Sequence, residues 1–83
     1  MRGKQVIVRA YGDEPLLRRI WNEDEGIIYI TNDEQYELLE SGKEGVFIGF
    51  PKEDVFKYDP ELAKSMKRLH KSGKWDWNKL VPF

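Results

Sequence analysis

The sequence predicts a small, mainly-β domain of the α+β class, and three observations lead to this prediction. Five short apolar runs are separated by clusters rich in Gly, Pro, Asn and Asp, which is the pattern of strands joined by turns. A helix-start signal and an amphipathic stretch follow the last run. The chain of 83 residues is too short for two hydrophobic cores. We therefore expect one domain with a strongly bent sheet or half-open barrel of about five strands, one inserted helix and a C-terminal helix.

The first three strands are expected before residue 31. Residues 5–11 are rich in β-branched side chains and end at a Gly-Asp-Glu-Pro turn. Residues 16–21 are ambiguous, because their Leu and Arg side chains also favour a helix. This run is short and lies between breakers, however, and an acidic loop ending in Gly26 leads from it into residues 27–30. Two short runs joined in this way predict a hairpin.

A short helix and a fourth strand are predicted next. Thr31 and Glu34 have the spacing of a capping box, in which the hydroxyl of the first residue accepts a hydrogen bond from the first turn of the helix. Gly42 stands where this helix would end. Residues 46–50 form the next apolar run, and Gly49 within it allows a bend or a bulge.

The last strand leads into the C-terminal helix. Residues 51–54 predict a tight turn and residues 55–58 a short strand. Asp59 is a favourable N-cap, and Pro60 suits the first helical position. The helix is expected to end at Gly73, with one apolar face and a basic remainder. The apolar face consists of Leu62, Met66 and Leu69, and the basic residues are Lys64, Lys67, Arg68 and Lys71.

Residues 49–55, Gly-Phe-Pro-Lys-Glu-Asp-Val, resemble the closing stretch of Src-homology-3 domains, in which a strand ends, makes one tight helical turn and re-enters the sheet at a Val. Arg9-Ala10-Tyr11 with Asp13 resembles the opening stretch of that family. The resemblance implies an Src-homology-3-like small β-barrel. It does not imply proline-rich ligands, because the adjacent tryptophans of the family's groove are missing before residue 75 and Asp54 stands in place of a groove tyrosine.

The charge is divided unevenly along the chain. Residues 1–59 carry 13 acidic and 8 basic side chains, whereas residues 60–83 carry 2 acidic and 6 basic ones. We therefore distinguish an acidic barrel part, residues 1–59, from a basic C-terminal helix with a Trp-containing tail, residues 60–83, within a single domain. Such asymmetry indicates a partner or docking of one part on the other.

The sequence predicts no catalytic, cofactor-binding or metal-binding residues, and we expect the protein not to be an enzyme. The absence of Cys excludes a thiolate metal site, and His70, the only histidine, excludes a site with several histidines. The three serines lie in helix or helix-end positions and not at a nucleophile elbow. The N-terminus lacks the long apolar stretch of a signal peptide or membrane span, so we expect a cytoplasmic protein without a membrane partner.

The Trp75-Asp76-Trp77 pair is the sharpest sign of binding. Each indole can bury on the order of 200 Å², so two exposed rings would forgo several kcal/mol. Three alternatives stay open: the pair docks on its own domain, which we favour, on a protein partner or second copy, or on a membrane surface.

Two further sets of residues could contact a partner. Two cations and an aromatic ring lie on one predicted strand, at Arg18, Arg19 and Trp21. The basic helix carries Lys67 and Lys71.

These residues lead to two hypotheses about function. The first is a binding or accessory module for a protein partner or a homo-oligomer, with Trp75, Trp77, Arg18, Arg19, Trp21, Lys67 and Lys71 as candidate partner-binding residues. The alternative is a small barrel that binds nucleic acid through Arg18, Arg19 and the basic helix. The isoelectric point near 5.8 argues against tight non-specific binding to nucleic acid, because the acidic part repels phosphate.

Overall fold

A computed structural model describes residues 2–83 and shows an α+β architecture. The prediction of five strands and two helices in one compact unit is confirmed, and the ambiguous residues 16–21 are part of a strand. Three short 3-10 turns accompany these elements. The elements are β1 (Gln5–Arg9), β2 (Pro15–Asp24), β3 (Ile27–Thr31), α1 (Asp33–Glu40), β4 (Ile48–Pro51), β5 (Val55–Lys57) and α2 (Pro60–Lys71).

All five strands form one antiparallel sheet in the order β4-β3-β2-β1-β5. The long strand β2 joins its two halves, because residues 15–19 pair with β1 whereas residues 19–24 pair with β3. The register shifts between Ile20 and Asn22, which marks a bulge at Trp21. Bulges bend a strand and increase its twist. Apolar side chains are buried on both faces of the sheet.

Two clusters of buried side chains lie on opposite faces of the sheet. The expectation that so short a chain cannot form two hydrophobic cores is therefore wrong, because both cores share the one sheet. Val6 and Val8 belong to the first and the intervening Ile7 to the second, as alternation along a strand requires. The first core comprises Val6, Val8, Ile20, Ile28, Ile30 and Val55, with Leu16, Phe50 and Phe83 packed against it. The second core comprises Ile7, Phe56, Met66 and Leu80, with Leu17, Leu62, Ala63, Trp75 and Trp77 packed against it.

The two helices differ in how well their starts were predicted. Asp59 caps α2 as expected, because its carboxylate accepts from the backbone N–H groups of Glu61 and Leu62. The expected Thr31 cap of α1 is wrong by one residue. Asn32 accepts from the N–H of Gln35 at 2.8 Å, and Thr31 is the last residue of β3. The hydroxyl of Thr31 instead donates to the carbonyl of Val46.

Other boundaries also differ from the predicted ones. The strand expected over residues 46–50 begins only at Ile48, and the expected turn after it is a 3-10 turn over Lys52–Asp54. On α2, Met66 is buried and Leu62 packs against the second core, whereas Leu69 is only half-buried. Neither helix in residues 2–83 is long and apolar enough to cross a membrane.

The tail covers one edge of the sheet. The N–H of Lys57 donates to the carbonyl of Val81 at 2.8 Å, and the N–H of Phe83 donates to the carbonyl of Val55 at 3.1 Å. Phe56 and Pro82 form an isolated antiparallel bridge between these two bonds. The C-terminal residues therefore occupy the outer edge of β5, while within residues 2–83 no strand pairs with the outer edge of β4.

Candidate binding surface

The outer edge of β4 presents unpaired backbone groups. The N–H of Lys52 donates to the carbonyl of Gly26 at 2.9 Å, and Phe50 and Ile48 continue the same register. In an antiparallel ladder, residues that bond to the neighbouring strand alternate with residues whose N–H and C=O point the other way. Gly49 lies between Ile48 and Phe50, so its N–H and C=O point to the open edge.

Gly49 also keeps this strand closely packed on its neighbour. A Cβ atom at this position would lie 2.9 Å from Cγ2 of Ile27 and 3.1 Å from a ring carbon of Tyr29. The missing side chain lets these two residues lie across the strand without a clash. The backbone of Gly49 remains open to a ligand.

An exposed apolar run leads into this edge. Val46 is 64% exposed, Ile48 is 59% exposed, and Phe47 is 45% exposed even though its ring packs edge-on against Tyr29 at 5.7 Å. Isolated exposed apolar residues are common on protein surfaces, but three consecutive ones beside an unpaired strand edge are typical of an interaction site.

Hydrogen bonds hold this run in place. The buried Thr31 hydroxyl donates to the carbonyl of Val46 at 2.7 Å, and the N–H of Val46 donates to Oε1 of Gln35 at 2.9 Å. Both backbone groups of Val46 are therefore bonded to residues of β3 and α1. The apolar run is presented by a fixed backbone rather than by a free loop.

A groove of about 370 Å³ lies beside the apolar run and opens onto the first core. Its lining is mostly apolar, with a single charged side chain, Arg18. We call it the apolar groove. It is lined by Leu16, Arg18, Ile30, Thr31, Asn32, Gln35, Val46, Phe47, Ile48 and Phe50.

The two predicted arginines have different surroundings. Nη1 of Arg18 donates to the carbonyl of Leu17 at 2.8 Å, and within residues 2–83 no carboxylate is within ion-pair distance of Arg18. Arg19 instead ties parts of the fold together. Its Nε donates to Oδ1 of Asp33 at 2.6 Å and its Nη1 to the carbonyl of Gly3 at 2.8 Å. Of these two arginines, Arg18 is therefore the one whose guanidinium has no carboxylate partner in the described chain.

The predicted aromatic residues lie apart from the apolar groove. Trp21 is half-buried beneath the guanidinium of Arg2, 4.2 Å from the ring centre, with Tyr36 edge-on at 6.0 Å. Trp75 and Trp77 pack on the second core, on the opposite face of the sheet from Val6 and Val8.

The two tail indoles make a cluster of aromatic and cationic contacts. Trp77 lies 5.0 Å from the ring of Phe56 and 5.4 Å from that of Trp75, and the guanidinium of Arg9 lies 4.8 Å above Trp77. Both indoles therefore pack within the domain and are partly buried. Partner binding by these residues stays a prediction.

A second groove, of about 650 Å³, lies between the start of β2 and α2. Its charged lining is mainly basic, and we call it the basic groove. It is lined by Glu14, Pro15, Leu16, Leu17, Arg18, Ala63, Lys64, Met66, Lys67 and His70. Of the predicted basic residues, Lys67 lines this groove, whereas Lys71 is exposed outside it.

In the described part of the chain, no group of three acidic or His side chains is placed to hold a metal ion. The apolar groove could not be expected from the sequence, because residues 46–50 predict a strand and not an exposed segment that precedes one. Three consecutive apolar residues are no sign of exposure in this fold, since Val6, Ile7 and Val8 are also consecutive and are buried on the two faces of the sheet.

Comparison with known proteins gave no match: no family model, curated protein or solved structure is significantly similar to this chain. The assignment of a function therefore rests on the geometry of the two grooves and the free edge of β4.

Proposed function

We propose that this chain is a non-enzymatic protein-binding module that pairs an extended segment of a partner protein with the free edge of β4. The observation that carries the proposal is the exposed run Val46, Phe47 and Ile48, held by Thr31 and Gln35 beside an unpaired edge. A partner strand would bond to the N–H and C=O of Gly49, and alternate side chains would enter the apolar groove.

The guanidinium of Arg18, which has no carboxylate partner among the described residues, limits the chemistry of the binding partner. It is the one charged group of the apolar groove, and it has no carboxylate neighbour in residues 2–83. A ligand that buries apolar side chains here would also desolvate this cation, which is costly unless an anion pairs with it. We therefore propose a partner segment with alternating apolar residues and one carboxylate placed to reach Arg18.

We also propose that the bent sheet is an Src-homology-3-like small barrel. Support comes from the path of the chain after Gly49, which leaves β4, makes the 3-10 turn Lys52–Asp54 and enters β5 at Val55. Val55 of β5 belongs to one cluster with Ile28 and Ile30 of β3, although β1 and β2 lie between these strands, which fits a strongly curved sheet. The fold proposal does not determine the ligand.

Panning a phage-displayed library of random peptides on the purified chain tests the binding proposal. We expect enriched peptides to alternate apolar residues and to contain an acidic one, and we expect a resynthesised peptide to shift the amide signals of Phe47 and Gly49 in NMR spectra. Ile48→Lys should weaken binding of that peptide about tenfold or more, because a charge would then face its apolar side chains.

Val81→Lys is the matched control, because Val81 is 57% exposed and lies beside β5 rather than β4. Its affinity for the peptide should equal that of the wild type. Equal affinity of Ile48→Lys, or amide shifts confined to other strands, would reject the proposal. A concentration-dependent dimer that buries the same amides would show instead that the occupant is a second copy of this chain.

Nucleic-acid binding is the second candidate function. The basic groove is the observation that favours it, since Arg18, Lys64 and Lys67 line one depression. Comparing the affinity of an oligothymidylate with that of an acidic peptide separates this function from protein binding.

A further inference from the structure

The basic groove has an excess of positively charged side chains that form no ion pairs within the described residues. Arg18, Lys64, Lys67 and His70 line it together with one acidic residue, Glu14. Among residues 2–83, neither lysine has a carboxylate within ion-pair distance. Lys64 and Lys67 are three residues apart on α2, so their side chains are neighbours, and like charges at this spacing destabilise a helix slightly. An anionic ligand would relieve this repulsion.

The β2 side of the groove offers an unpaired backbone N–H. The N–H of Ala10 donates to the carbonyl of Glu14, and the N–H of Ile20 donates to the carbonyl of Lys4. These bonds fix the alternation along β2, so that even-numbered residues bond to β1 and Leu17 points away from it. The pairing with β3 begins only at Arg19. The N–H of Leu17 therefore has no ladder partner on β1 or β3.

Arg18 covers this short edge from its own strand. Its guanidinium folds back onto the carbonyl of Leu17 at 2.8 Å, and Pro15 has no N–H to offer. A charged side chain over a strand edge and a proline within it both hinder non-specific pairing with another strand. A ligand that carries carboxylates can draw the guanidinium of Arg18 onto itself and so expose the edge.

The two grooves meet at the same residues. Leu16 and Arg18 line both the apolar groove and the basic groove. An extended chain that lies along the apolar groove can therefore continue past Leu16 into the basic groove without crossing the body of the sheet.

The lining of the basic groove suits a peptide better than a nucleic acid. Its lining contains no Trp, Tyr or Phe, and the imidazole of His70 is the single ring in the lining that could stack on a base. The indoles that could stack bases, Trp75 and Trp77, pack on the second core. The floor of Pro15, Leu17 and Met66 is apolar, and the edge at Leu17 offers a peptide-type hydrogen bond.

From these observations we infer that the basic groove binds an acidic, extended peptide segment that continues from the apolar segment bound at β4. Carboxylates of this segment pair with Arg18, Lys64 and Lys67, and its backbone accepts a hydrogen bond from the N–H of Leu17. The inference rests on the proposed function, since it specifies the charge of the partner on one flank of the β4 site.

The test compares three probes by fluorescence anisotropy at low and moderate salt: a Glu-Val repeat peptide, a Gln-Val repeat peptide of equal length, and an oligothymidylate. We expect the Glu-Val peptide to bind on the order of tenfold more tightly than the Gln-Val peptide at low salt, because two or three exposed ion pairs supply about that factor. Added salt should reduce the difference. The amide of Leu17 should shift on binding.

The double variant Lys64→Glu/Lys67→Glu should lose the preference for Glu-Val. The control Lys74→Glu/Lys79→Glu makes the same change in net charge outside the groove and should keep the preference. If both double variants lost the preference for Glu-Val equally, the preference would come from the net charge of the protein, and the proposed site would be rejected. Tighter binding of oligothymidylate that disappears only in Lys64→Glu/Lys67→Glu would assign the groove to nucleic acid and overturn the inference.

The two proposals can fail separately. If the panned peptide loses affinity in Ile48→Lys but keeps it in Lys64→Glu/Lys67→Glu, and no Glu-Val preference exists, the β4 site stands and the acidic flank is wrong. If Ile48→Lys kept its affinity for the panned peptide while Lys64→Glu/Lys67→Glu lost the preference for Glu-Val, the basic groove would stand and the β4 site would be rejected. Melting temperatures close to that of the wild type exclude misfolding in either variant.

Discussion

Thr31 is a buried polar residue whose single hydrogen bond shapes the binding surface. It is 4% exposed, and its hydroxyl donates to the carbonyl of Val46 at 2.7 Å. The bond connects the end of β3 to the segment that precedes β4, and it fixes the first residue of the exposed apolar run. A residue in the core of the sheet thus determines how a surface segment is presented.

Thr31→Val should lower the free energy of unfolding by about 1 kcal/mol, because valine has the shape of threonine but cannot donate to Val46. Urea denaturation measures this change. Thr31→Ser keeps the hydroxyl and is the matched control for amide exchange, which should accelerate over Val46, Phe47 and Ile48 in the valine variant alone. Unchanged exchange in Thr31→Val would contradict the assigned role.

The role of Thr31 could not be predicted from the sequence, for a local reason and a distant one. Asn32 is as good an N-cap as Thr31, so the capping-box spacing with Glu34 does not decide between them. The acceptor at Val46 lies 15 residues further along the chain. Similarly, the pattern Arg18-Arg19 does not reveal that Asp33 engages only the second arginine.

At the scale of elements, α2 forms one wall of the basic groove and covers part of the second core. Its start depends on Asp59, whose carboxylate accepts from two backbone N–H groups at 3.0 and 3.1 Å. These N–H groups have no partner within the helix. The position of Lys64 and Lys67 in the groove therefore depends on a cap that lies one turn away.

Asp59→Ala should lower the free energy of unfolding by about 1 kcal/mol, whereas Asp59→Asn, which keeps an acceptor oxygen, should lose much less. Thermal or urea unfolding followed by circular dichroism checks both changes. Equal stabilities of the alanine and asparagine variants would show that the cap does not limit the stability of α2.

The bounds of an element can be predicted where they depend on neighbouring residues. They cannot be predicted where they depend on hydrogen bonds to residues far away in the sequence. The Asp59-Pro60 signal placed the start of α2 correctly. The strand that the sequence predicts over residues 46–50 begins two residues later in the structure. The reason is that the backbone of Val46 bonds to the side chains of Thr31 and Gln35 and not to the backbone of a neighbouring strand. That shift leaves the residues before Ile48 outside the sheet, and it creates the apolar groove.

At the scale of the whole molecule, the acidic part and the basic segment share both cores. Leu80, Trp75 and Trp77 complete the second core, and Phe83 reaches the first. The sequence indicates that two indoles need cover, since exposing them forgoes several kcal/mol. The sequence cannot indicate which face of the sheet the indoles cover. Val6, Ile7 and Val8 are all fully buried, so neither face of β1 is polar and neither can be identified as the solvent-exposed one.

The apolar contacts of the tail should outweigh its charge. Burial of the larger part of each indole and of nearly all of Leu80 stabilises the fold by several kcal/mol at ~25 cal/mol per Å². Exposed ion pairs contribute only ~0–1 kcal/mol each and weaken with salt. The net charges of −5 and +4 on the two parts therefore favour the approach of the tail more than they hold it in place.

Deletion of residues 74–83 should lower the melting temperature by roughly 15 °C or more, because several kcal/mol is a large share of the stability of so small a domain. The deletion also uncovers the outer edge of β5, so the truncated chain should aggregate more readily. Lys74→Gln/Lys79→Gln removes two charges but no apolar contact, and its melting temperature should stay within a few degrees of the wild type.

Fluorescence of a Trp21→Phe variant isolates Trp75 and Trp77, since the chain has three tryptophans. Their emission should be shifted to the blue of free tryptophan and should change little when salt is raised, because the apolar packing on Phe56 and Met66 is not screened. Water-like emission together with an unchanged melting temperature after truncation would contradict this packing. The tail would then be a third binding segment, free to engage the same partner as the two grooves.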